Sequence, residues 1–223
     1  MAAQPTRFLV LVYRMPAKPT AGRIAVWRHL KKVGAIYIQQ SVCVFPDQAS
    51  VRADLQGILN KIVESAGEYH LLPVGTLSAG ERQKLVDQFR DQTAKHYAEI
   101  IENCEVNFQR EIEFEIFRNN LTYEEAEEIR VEFEKISNWF ERVKGRDWFG
   151  APNQDEASRW IARCEKLVED FEGRVFAAQE AAESGASRPA LPSHQSVDGR
   201  PSSTARPRAR AGRSAERRGQ ARK

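Results

Sequence analysis

From Glu81 to Lys144 the chain contains neither glycine nor proline. A stretch of that length, with apolar side chains recurring at steps of three and four, buries its apolar surface only as helix. It needs a break, and Asn119-Asn120 is the place the sequence offers. Ser78-Ala-Gly-Glu81 has the form of a capping box at its start, and Thr122-Tyr-Glu-Glu125 has it again inside. After the second box Ala126, Ile129, Phe133, Ile136, Phe140 and Val143 make a heptad seam. Residues from Asp155 to about Gln179 repeat it with Ala157, Trp160, Cys164, Leu167 and Phe171. Only Lys144-Gly-Arg-Asp-Trp-Phe-Gly-Ala-Pro152 separates the two seams, so an antiparallel helical hairpin is expected.

Ahead of the helical stretch the periodicity is different. Phe8 to Tyr13 is a continuous apolar run and reads as a strand buried on both faces. Thr20 or Pro19 opens a helix that Gly34 closes; Val26, Leu30 and Val33 fall on one face, Arg28, Lys31 and Lys32 on the other. Ala35 to Phe45 alternates as strand, with a hairpin or bulge at Gln39-Gln40-Ser41. A second helix runs from Asp47 to about Ala66, with Val51, Leu55, Ile58, Leu59 and Ile62 as its inner stripe, and Glu68 to Val74 is a last strand. The order β-α-β-β-α-β predicts an α+β, ferredoxin-like sandwich: helices on one face of the sheet and the other face free. The expected domains are 1–77 (α/β), 78–182 (long helices with the hairpin) and 183–223, a disordered basic tail dominated by Arg206, Arg208, Arg210, Arg213, Arg217, Arg218 and Arg222.

Charge divides along the same lines. The net charge of +3 resolves into +6 for residues 1–95, −11 for 96–183 and +8 for 184–223. The first 46 residues hold seven bases (Arg7, Arg14, Lys18, Arg23, Arg28, Lys31 and Lys32) and no acid before Asp47. A one-signed surface over an apolar core is suited to a polyanion, and duplex DNA is the expected partner. Cys43, Cys104 and Cys164 form no CxxC pair, which removes a zinc ribbon or redox motif and suits a reducing cytoplasm. The short apolar run after Arg7 is too brief for a signal segment or membrane span, so a cytoplasmic protein with no membrane partner is expected. The four histidines are scattered and no nucleophile elbow appears, so no metal, no cofactor and no catalytic residue is assigned.

Three segments carry a family resemblance. Phe8-Leu-Val-Leu-Val-Tyr-Arg14, the helix Arg23 to Gly34 and the strand Ile38 to Pro46 resemble the N-terminal domain of the ChrB chromate-resistance proteins. Arg146-Asp-Trp-Phe-Gly-Ala-Pro152 with Arg163 to Phe171 resembles the helical part that follows in that family. The resemblance covers roughly residues 7–176 and implies a transcriptional regulator that binds promoter DNA and releases it when chromate is present. Full-length members of the family carry a further C-terminal domain; the sequence after 183 reads as tail only, so a chain lacking that domain is expected. More distantly, the N-terminal half is similar to the ferredoxin-like domain of Cas2 nucleases and PaaX-type repressors. Where Cas2 would carry a metal-binding Asp, this chain has Tyr13-Arg14, which argues against nuclease chemistry and for a protein that is not an enzyme.

Arg14, Lys18, Arg23, Arg28, Lys31 and Lys32 are the candidate DNA contacts, a solvated helix face being the alternative. Trp27 is an anchor of helix to sheet or a stacking platform for a base. Gln39, Gln40 and Ser41 are polar strand residues facing solvent or contacts to base or phosphate. Arg146, beside Trp148-Phe149, is a candidate contact for an oxyanion such as chromate; the alternative is a loop that docks its aromatics into the core. A homodimer is expected. The rival functions are a protein-interaction module without DNA specificity and a Cas2-like metal-dependent nuclease.

Overall fold

Opposite faces of strand β1 (Phe8–Arg14) meet different layers of helix, and the rest of the architecture follows from that. The computed structural model describes residues 7–186. After β1 come α1 (Thr20–Val33), β2 (Ile36–Gln39), β3 (Val42–Pro46), α2 (Ala49–Glu64) and β4 (Glu68–Val74). The sheet order is β2-β3-β1-β4 with every neighbouring pair antiparallel, which is the split β-α-β arrangement. Leu9 lies opposite Phe45 and Leu11 opposite Cys43. These residues share one face and pack on Val26 and Leu30 of α1 and on Val51, Leu55 and Ile62 of α2.

The alternate residues point the other way, and here the structure departs from the free face expected. Phe8, Ile36 and Val44 are covered by Val86 and Phe89 of α3 (Ala79–Glu102) and by Phe149. The Phe89 ring centroid lies 6.3 Å from that of Phe8, 5.4 Å from Phe149 and, edge-on, 5.8 Å from Trp148. An apolar strand with no polar face requires cover on both sides, and α3 supplies the second.

α3 starts on the complete capping box. The Ser78 hydroxyl accepts from the Glu81 amide at 3.2 Å, and a Glu81 carboxylate oxygen accepts from the Ser78 amide at 3.4 Å. The helix continues through a π-helical segment, Asn103–Phe108, into α4 (Gln109–Phe117). The widened turn keeps Cys104 and Phe108 both buried. The second box is half formed. Thr122 accepts from the Glu125 amide, but the Glu125 carboxylate accepts from the Asn120 side chain at 2.9 Å instead of returning to Thr122.

α5 (Tyr123–Lys144) buries the six seam residues expected. α6 (Gln154–Ala186) packs against it, and Arg130 of α5 pairs with Glu172 of α6, which only antiparallel packing brings together. On α6 the fully buried line is Ala157, Cys164, Val168 and Phe171, with Val175 close behind; Trp160 and Leu167 flank it. Among the described residues no helix is long and apolar enough to cross a membrane. The Arg-rich tail lies outside the described residues.

Candidate nucleic-acid interface

Four of the six candidate bases sit on α1, whose inner face is set by fully buried Val26 and Leu30. The helix ends in a Schellman motif: Gly34 adopts φ 93°, its amide donates to the Lys31 carbonyl at 3.0 Å, and the Ala35 amide donates to the Leu30 carbonyl at 3.0 Å. Lys31 and Lys32 in the last turn complement the helix dipole, and no acid stands in the first. Arg14, Lys18, Arg23, Arg28, Lys31 and Lys32 are all exposed. None takes part in any of the salt bridges found among the described residues.

The six differ in their surroundings. At 100° per residue, Arg23, Trp27 and Lys31 share a side of α1, while Lys32 turns toward α2. Arg14 and Arg23 come together at a cleft of about 760 Å3 between the end of β1, the start of α1 and the β2–β3 turn. Tyr13 and Tyr37 line it with their hydroxyls 3.3 Å apart. Burial pushes both phenols up from their ordinary value, so both are neutral. Gln40 and Ser41 form the far wall; Ser41 takes φ 64° at the turn, and its carbonyl accepts from the Tyr13 amide at 3.0 Å. Trp27 is 50% exposed and lines this cleft instead of pinning the helix to the sheet, a task Val26 and Leu30 perform. No residue lining the cleft is acidic.

Lys31 lies over the ring of Tyr37, 5.2 Å from its centroid. Arg28 and Lys18 are exposed, and among the described residues neither lies over an aromatic ring. Lys32 lines a second cavity, of about 360 Å3, together with Arg142, Arg146 and Asp54.

Arg146 reaches α1 from the loop between α5 and α6. One terminal nitrogen donates to the Lys32 carbonyl at 2.9 Å, and the other lies 3.1 Å from His96 Nδ1. A guanidinium can only donate, so His96 Nδ1 accepts. Burial, and then the Arg146 charge, holds His96 below its ordinary value. The same loop is pinned elsewhere. The Asp147 carboxylate accepts from the Ala151 amide at 3.0 Å and from the Tyr97 hydroxyl at 3.4 Å, and Arg90 donates to the Gly150 carbonyl at 3.1 Å. Trp148 packs so close to Gly34 that a Cβ there would lie 3.1 Å from its ring. The loop docks its aromatics into the core, and Arg146 caps the C-terminus of α1 while lining the second cavity.

Sequence reasoning did not find the cleft. It gives Trp27, Gln40 and Ser41 one by one as alternative contacts to base or phosphate, and assigns no binding role to Tyr13 or Tyr37. Among the described residues, no three or more His, Cys, Asp or Glu side chains gather where they could hold a metal ion. The family model described as "Protein ChrB, N-terminal" matches residues 23–182. It begins on the cleft, at Arg23, and runs through the loop that caps α1 to the end of the second seam. No curated protein matches the chain.

Proposed function

The chain belongs to the ChrB N-terminal family of chromate-resistance proteins, and from that premise we propose that it is a non-enzymatic regulator of chromate resistance that binds duplex DNA in the cytoplasm. One observation carries the reading: seven exposed bases precede the first acid, and none of them is neutralised by a salt bridge among the described residues. Arg14, Lys18, Arg23, Arg28, Lys31 and Lys32 hold phosphates. With six phosphates neutralised, log K against log salt has a slope of about −5. Chromate, a dianion, acts at the second cavity, where Lys32, Arg142 and Arg146 outnumber Asp54. An oxyanion there competes with the α1 carbonyls for Arg146 and so loosens the helix that holds the DNA. The working form is a homodimer; the exposed Phe114, Phe117 and Tyr123 around the α4–α5 turn are the apolar surface that supports this.

The test is fluorescence anisotropy with duplex DNA from upstream of the gene, titrated with salt and then with chromate. Arg28→Glu with Lys31→Glu is expected to abolish binding with the fold intact. Unchanged affinity in that variant overturns the assignment and favours the interaction-module reading, which light scattering with and without DNA then examines.

A further inference from the structure

We propose that the cleft between β1, α1 and the β2–β3 turn takes a single unpaired nucleotide, its base against Trp27 and its phosphate between Arg14 and Arg23. Duplex phosphates need only exposed cations, and Trp27 adds nothing to that. The cleft has features that a phosphate track does not use. It has depth, about 760 Å3, within the roughly 300–1,000 Å3 of small-molecule sites. It has an uncharged indole left half exposed beside two guanidiniums, although large apolar rings are ordinarily buried.

The charge inventory selects the ligand class. Two arginines and no acid line the cleft, and the tyrosines are neutral, so the site offers a formal charge of about +2 to a phosphomonoester of about −2. A purely inorganic anion makes no use of Trp27, and a purely apolar ligand makes no use of Arg14 and Arg23. Gln40, at the opposite wall, carries both a donor and an acceptor for a base edge. An aromatic platform, a phosphate clamp and one amide are the set by which single-stranded nucleotides are held. A mononucleotide and the 5′-phosphorylated terminal nucleotide of an unpaired strand present the same phosphomonoester chemistry, so the experiment separates them.

Full-length protein is titrated calorimetrically with 5′-AMP and 5′-TMP. Anisotropy is then measured with a short 5′-phosphorylated single strand and with a blunt duplex. The variants are Trp27→Ala, Trp27→Phe and Arg23→Ala, with Lys166→Ala, an exposed base on α6 outside every proposed contact, as the control; circular dichroism checks the fold. Trp27→Ala is expected to weaken single-strand binding about 5- to 150-fold, the loss that removing one stacked base produces, while leaving duplex binding unchanged. Trp27→Phe restores most of it, and Arg23→Ala weakens it as well. Mononucleotides that bind with the same dependence on Trp27 and Arg23 identify a free nucleotide as the ligand; binding confined to the strand identifies an unpaired nucleotide of DNA. Single-strand and mononucleotide affinities that are absent, or unaltered by Trp27→Ala, overturn the proposal. The duplex arm is read separately through Arg28→Glu with Lys31→Glu, so failure of the cleft and failure of duplex binding are told apart.

Discussion

Replacing Phe89 by alanine tests whether the helical half is part of the sheet's core. Phe89 is 2% exposed and lies in ring contact with Phe8 on β1 and with Trp148 and Phe149 in the α5–α6 loop. A buried Phe→Ala change costs about 3–5 kcal/mol, and aromatic pairing adds about 0.5–1.5 kcal/mol per pair beyond area. Because the ring neighbours come from two separate segments, the void cannot close by one shift, and the upper part of the range, about 4–5 kcal/mol, is expected. Domains of this kind have about 5–15 kcal/mol in all, so the variant retains a marginal fold. With a urea m-value of about 2 kcal/mol/M, the midpoint falls by about 2 M. Far-ultraviolet circular dichroism and tryptophan fluorescence should follow one transition in both proteins, since the sheet and α3 share this cluster. A midpoint shift below about 0.5 M, corresponding to about 1 kcal/mol, refutes the view that α3 closes the second face of the sheet.

Gly34→Ala places a side chain at φ 93° and 3.1 Å from the Trp148 ring; a loss of about 1–2 kcal/mol is expected from the backbone alone, read as a lowered urea midpoint. Ser78→Ala removes the cap of α3 and should cost about 1 kcal/mol by the same measurement. His96 is held below its ordinary value by burial and by Arg146, with Lys31 acting the same way and Glu99 opposing. The unfolded chain therefore binds the proton more readily, so stability is lost as pH falls through about 6.5 toward the lower folded value. Urea midpoints taken from neutral pH downward should decline through that window in the wild type, and the decline should shrink in His96→Gln.

Most of the fold was legible because its elements are set by local signals. The buried stripe of α5 is the seam counted from the sequence, Gly34 closes α1 in the left-handed conformation, and the β-α-β-β-α-β order gives the observed sheet. What was not legible depends on residues distant in the chain. The cover of the second face comes from Val86, Phe89 and Phe149, which no periodicity links to Phe8, although a strand apolar on both faces already demanded some cover. The π-helical segment and the shift of the α6 seam to Val168 and Val175 reflect packing among several helices at once. The site divides in the same way. Charge marked the bases one by one, but the clustering of Arg14 with Arg23 and the turning of Lys32 toward Arg146 arise from the crossing of α1 over the sheet and from a loop more than a hundred residues later.

Of the contacts named from the sequence, the helical half supplies only Arg146, yet α1 depends on it. Two separate supports meet that helix: Val26 and Leu30 hold it to the sheet, and Arg146 with Trp148 holds its last turn. A helix fixed at its face and its end loses little freedom when its cations meet phosphate, so more of the interaction appears as affinity. A fragment ending at residue 77 keeps six of the seven named contacts and both of its own helices, but it bares Phe8, Ile36 and Val44 and leaves the C-terminus of α1 uncapped. The expected outcome is a fragment that shows no cooperative unfolding and binds DNA weakly even at low salt, where its charge alone would favour it. A cooperative transition with full affinity would mean that the bases act without the support of α3 and the loop. The family match points the other way, since it runs unbroken from Arg23 on the cleft, through the loop, to residue 182.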